Sequence, residues 1–132
     1  MKGPLEPREL ISLVSALDDR RVRERTGLFK MERFGSFVKA MDAGLPLRGL
    51  VVCPRLVTNE LVQMLVRRAR ASGVPAVSVP PEVFRRHAVG TRASGIVAIF
   101  EQRWAGLPAD PAPGVWVGIE SLQSPEIGRA HV

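Results

Sequence analysis

The sequence predicts an α/β fold of the layered kind, with helices packed on a core sheet. Three observations carry this. Short apolar runs rich in β-formers, Leu50–Cys53, Ala76–Val79 and Ile96–Phe100, are bounded by glycine or proline, the pattern of buried strands. Apolar residues recur at helical spacing in the stretches around them. Strands and helices therefore alternate from about residue 28 to residue 100, which argues for a layered sandwich whose sheet is largely parallel.

The first helix opens at Pro7, with Glu9 in its first turn, both favoured at helix starts. Leu10, Ile11, Leu13, Val14 and Leu17 form its apolar stripe, and it runs on into the mixed-charge stretch DDRRVRERTG, closed by Gly27. LFKME reads as a short strand. Phe34, Phe37, Val38 and Met41 then follow at i, i+3, i+4, i+7, a second helix ended at Gly44. Thr58 is placed to cap a third helix whose buried face is Leu61, Val62, Leu65, Val66 and Ala69, ended by Gly73 and Pro75. Pro80-Pro81 opens a short helix through Phe84 to Ala88, which Gly90 breaks. There is no internal repeat.

After Trp104 the pattern changes. AGLPADPAPG has no periodicity and is rich in proline, alanine and glycine, as linkers are. Val115–Ile119 reads as one more buried strand, but a lone strand after a linker lacks partners for its backbone. The sequence is therefore divided into a domain over 1–105, a linker over 106–114, and the beginning of a second domain over 115–132.

The 132 residues are 45% apolar, enough to bury a core, and carry a net charge of +6, which favours a polyanionic partner. Cys53 is the single cysteine, so an internal disulfide is excluded and a reducing cytoplasmic setting is expected. No apolar run approaches the ~20 residues of a spanning helix, and MKGPLEPREL is no signal peptide. No membrane partner is expected.

The order of these segments resembles the N-terminal half of the SpoU/TrmH family of RNA ribose 2'-O-methyltransferases, over about residues 8–126. The motifs are a basic helix, GLFKMER, LRGLVVCP, GVPAVSVPPEVF, TRASGIVAIF with Gly95-Ile96-Val97-Ala98, a proline-rich linker and VWVGIESLQSPE. LVVCP, GVPAVSVP and AVGTRASGIVAI also follow the layout of the ribosomal kink-turn RNA-binding fold, to which that N-terminal domain is related. The resemblance implies an α/β/α sandwich that holds structured rRNA or tRNA. It implies a following knotted domain that binds S-adenosylmethionine, methylates the RNA and forms the homodimer. Two departures stand out. Glu32-Arg33 replaces the family's Glu-Gly. Pro125-Glu126-Ile127-Gly128-Arg129 lacks the asparagine and the arginine spacing of the catalytic motif. No catalytic, cofactor-binding or metal residue is carried over, and this chain alone is expected to hold no S-adenosylmethionine and to be inactive.

Arg20, Arg21, Arg23 and Arg25, with Lys30 and Arg33 nearby, are the first candidates for RNA contact, since guanidinium groups pair with phosphates and stack on unpaired bases. Their plain alternative is a solvated face paired with Asp18, Asp19 and Glu24. Arg85, Arg86 and Arg92, with His87, surround a loop at Gly90-Thr91; in kink-turn binders the corresponding loop helps grip RNA. Arg67, Arg68 and Arg70 are read as complements to a helix dipole, Cys53 as a buried hydrophobe, and Trp104, Trp116 and the phenylalanines as core. Two rivals stay open: a stand-alone kink-turn RNA-binding protein without catalytic activity, and a small enzyme using Cys53 or His87.

Overall fold

The structure, a computed structural model, describes residues 3–88 and 94–121. Among them are five helices and four strands. They run α1 (Pro7–Ala16), α2 (Arg20–Thr26), β1 (Leu28–Met31), α3 (Phe34–Asp42), β2 (Leu47–Val52), α4 (Glu60–Ala71), β3 (Ala76–Ser78), α5 (Pro81–His87) and β4 (Ile96–Glu101).

The strands form one sheet in the order β1-β4-β2-β3. Side chains alternate cleanly across it, as the two-residue period of a strand demands. Leu50, Val52, Ile96, Ala98 and Phe100 face one side and pack with Phe37 and Ala40 of α3 and Val62, Leu65, Val66 and Ala69 of α4. Leu28, Val51, Val97 and Ile99 face the other and pack with Leu10, Leu13 and Val14 of α1 and Phe84 of α5. The chain is the α/β/α sandwich that the sequence predicts.

The expected largely parallel sheet is corrected. β2 and β3 pair in parallel, but β4 is antiparallel to both β1 and β2 and lies between them. α5 spans only about 10 Å and does not itself carry the chain back along the sheet. β4 starts where β2 and β3 finish: the amide of Cys53, just past β2, donates to the carbonyl of Gly95, just before β4, at 2.7 Å.

Five smaller expectations also change. The first helix does not continue through the charged stretch. It stops at Ala16, and Asp19 caps a separate α2 by accepting from the amide of Arg21 at 2.8 Å. Gly27 closes α2 in the left-handed region, φ 66°. Asn59, not Thr58, caps α4, accepting from the amide of Val62. Leu61 is exposed, since it lies one position outside the stripe that meets the sheet. Val115–Ile119 forms no strand, and Trp104, Trp116 and Phe34 are exposed rather than core. The segment from Val115 to Ile119 has no ladder neighbour to take up its amides, and apolar type alone does not bury a side chain.

Candidate nucleic-acid interface

The candidate site grows from the C-terminal turn of α1. A helix end leaves carbonyls without partners and carries partial negative charge. α1 has no basic residue of its own in that turn. Cations from two other elements meet it instead. Lys30 faces α1 from β1, and its ammonium donates to the carbonyl of Val14 at 2.6 Å. It also pairs with Asp18 and Glu32, each at 2.9 Å. Arg23 of α2 donates to the carbonyls of Leu17 at 2.9 Å and Asp18 at 2.8 Å.

Only 11% of the Lys30 side chain is exposed. Burial works to lower its pKa, but hydrogen bonds to Asp18 and Glu32 and the charges of both outweigh that and hold the ammonium above its ordinary value of 10.5. It is a fixed cation at physiological pH.

With Arg23 turned inward, the rest of α2 is set. Arg20 pairs with Glu24 at 2.7 Å, i to i+4, on the open surface. Such pairs contribute little to stability. Arg21 and Arg25 are also i, i+4, so they lie about 40° apart around the helix. Both are exposed, and among the described residues neither guanidinium has a hydrogen bond or ion pair. Two like charges on adjacent turns disfavour the helix that carries them. An anion bridging them would reverse that sign.

The remaining candidates fall in two places. Arg85 and Arg86 are exposed in the last turn of α5. That turn meets α1 through a hydrogen bond of 3.1 Å between His87 Nδ1 and Ser15 Oγ. α2 and the basic end of α5 therefore both border the last turns of α1. Arg33 follows β1, where it is exposed and precedes α3. Near it the Ser94 hydroxyl donates to the carbonyl of Glu32. Arg92 and the Gly90-Thr91 loop lie outside the described residues.

The single patch read from sequence is thus several things. Arg20, Arg21 and Arg25 are exposed on α2, with Arg21 and Arg25 sharing one side of it, Arg23 and Lys30 are drawn inside, and Arg33 stands outside α2, just before α3. Sequence reasoning missed Gln102, whose side chain donates to the carbonyl of Leu28 at 3.0 Å and whose amide donates to Gly27 at 2.7 Å. A polar residue directly after the end of β4 was its only signal. Arg70 bonds to Ser78 at 2.8 Å, and Arg68 and Arg70 lie in the last turn of α4, as a dipole complement would. Cys53 is fully buried. Among the described residues no group of three or more His, Cys, Asp and Glu side chains could hold a metal ion. No helix there is long and apolar enough to cross a membrane.

No family model matches the sequence, and no curated protein does. Solved structures do resemble it. An rRNA methyltransferase from Sinorhizobium meliloti superposes with a TM-score of 0.59 at 22% identity, over 78% of this chain and 37% of its own. The SpoU methyltransferase AviRb from Streptomyces viridochromogenes, in complex with AdoMet, gives 0.63 at 20% identity, over 83% and 40%. An RNA 2'-O ribose methyltransferase gives 0.63 at 21%, over 88% and 44%. The chain spans less than half the length of each of these structures. At such identities the likeness speaks to architecture: this chain has the fold of one portion of the SpoU-type RNA methyltransferases.

Proposed function

We propose that this chain is the RNA-recognition part of a ribose 2'-O-methyltransferase acting on structured rRNA or tRNA. The observation that carries the reading is the likeness to RNA methyltransferases over less than half their length, joined to a basic surface on α2. Residues 1–105 would hold the RNA, 106–114 would be a linker, and 115–132 would begin a second domain. That domain would hold S-adenosylmethionine, which supplies the methyl group, and would build a homodimer. Such a division has a physical reason. A ribose hydroxyl is alike at every nucleotide, so selectivity must be read from RNA shape elsewhere. Arg20, Arg21 and Arg25 would meet phosphates on one surface. Arg85 and Arg86 would extend it along α1, and Arg33 and Arg92 would add contacts beyond it.

The closed cores between Leu5 and Phe100 also suit a stand-alone kink-turn binder, the competing reading. Fluorescence anisotropy with structured rRNA and tRNA fragments at two salt concentrations separates these outcomes. Affinity should fall steeply with salt. The Arg21→Ala/Arg25→Ala double variant should bind at least about tenfold more weakly, with a salt slope lower by about one per arginine removed. Wild-type binding by that variant removes α2 from the site. Selective binding of a kink-turn duplex over every other structured RNA favours the competing reading. Calorimetric titration of S-adenosylmethionine should give no heat of binding. Micromolar affinity would overturn the division of labour.

A further inference from the structure

α2 has little apolar hold on the domain that carries it. It is seven residues long and none of them is fully buried; Val22 alone packs against the core. A helix this short does not persist on its own. What sets its direction must be polar. Gln102 donates to the carbonyl of Arg23 at 3.4 Å, and the contacts made by the side-chain cations converge on the end of α1. Lys30 reaches the carbonyl of Val14 and the carboxylate of Asp18. Arg23 reaches the carbonyls of Leu17 and Asp18. Asp18 therefore lies between two cations, its side chain on one and its main chain on the other.

We propose that Arg23 and Lys30 are positioning residues: they form a clasp on the C-terminal turn of α1 that orients α2, so that Arg21 and Arg25 face solvent together. The proposal rests on the reading of α2 as an RNA-contacting element. Helix geometry gives the link. Val22, Arg23 and Thr26 share the inward side of α2, and Arg21 and Arg25 then fall on the opposite side. Releasing Arg23 frees the helix to turn or unwind, and the paired guanidinium groups separate. Lys30 acts one step further back, by holding Asp18 where Arg23 can reach its carbonyl. Neither cation is spent on RNA.

The test uses the full chain and two variants, Lys30→Met, which keeps the bulk of the side chain, and Arg23→Gln. Hydrogen exchange is measured first, without RNA. Amides of residues 19–27 should exchange about tenfold faster or more in each variant, while those of α4 keep their wild-type protection. A contact made only with RNA would leave this readout unmoved. Wild-type exchange at 19–27 in both variants overturns the clasp. If α4 also loses protection in Lys30→Met, the whole fold has loosened and Arg23→Gln decides.

Affinity for a structured RNA is measured second, as a cycle with Arg21→Ala/Arg25→Ala. Lys30→Met should weaken binding about fivefold or more when Arg21 and Arg25 are present and change nothing when they are absent. Equal weakening in both backgrounds makes Lys30 an RNA contact and overturns the proposal. If removing Arg21 and Arg25 leaves RNA binding unchanged, the RNA reading of α2 fails by itself. The exchange measurement still judges the clasp.

Discussion

At Gly95 the backbone passes close against that of Leu56. The Gly95 φ is 81°, a conformation that side chains disfavour. A Cβ there would lie 2.8 Å from Leu56 Cβ and 2.9 Å from the Leu56 carbonyl carbon. The glycine of Gly95-Ile96-Val97-Ala98 was visible in the sequence, but its reason was not, because Leu56 is distant along the chain. Gly95→Ala should lower stability by about 2 kcal/mol or more, from the left-handed strain and the clash together. Urea denaturation checks this. An unshifted midpoint would mean that the loop after β2 yields freely. The same limit applies to charge. Arg23 and Lys30 count toward a basic cluster in the sequence exactly as much as Arg21 does, yet they point inward. Direction depends on where α1 ends in space, which the order of residues does not carry.

At the scale of elements, the link between β1 and α1 is electrostatic and so depends on pH. The Lys30 pKa is raised in the folded chain, and the sign follows from linkage. Its contribution to stability is complete below the ordinary lysine value and is lost as pH rises through the elevated one. Between neutral pH and pH 10 the contribution should hold. Further into alkali, wild type should lose more stability than Lys30→Met, as denaturation at matched pH would show. Equal losses would mean that the ion pairs contribute nothing measurable. Most elements were legible. Buried strands announce themselves as apolar runs, and β2 and β4 are found within a few residues of their predicted positions. The break between α1 and α2 was not read, because Asp19 looks like one more charge in a charged stretch. Only its bond to the Arg21 amide marks it as a cap.

At the scale of the molecule, the layers were legible and the strand order was not. Alternating strands and helices fit many sheets; here β4 starts at the end where β2 and β3 finish, and so runs against its neighbours β1 and β2. Both cores are complete between Leu5 and Phe100. Residues 103–121 are exposed, with Trp104 at 86% and Val115 at 94%. A chain ending at residue 105 should therefore unfold at the same denaturant midpoint as the whole. A lower midpoint would reveal a contribution from the exposed segment to the domain.

Gln102 ties the end of β4 to Gly27 and Leu28, so the polypeptide leaves the sandwich beside the arginine helix. Nine proline-rich residues, 106–114, stretch to about 28 Å at most as an extended polyproline helix. On the proposed reading, anything joined beyond them would work on a leash pegged next to Arg21 and Arg25. Reach would then select among nucleotides as strictly as affinity, and a longer leash would widen the choice without adding a single contact.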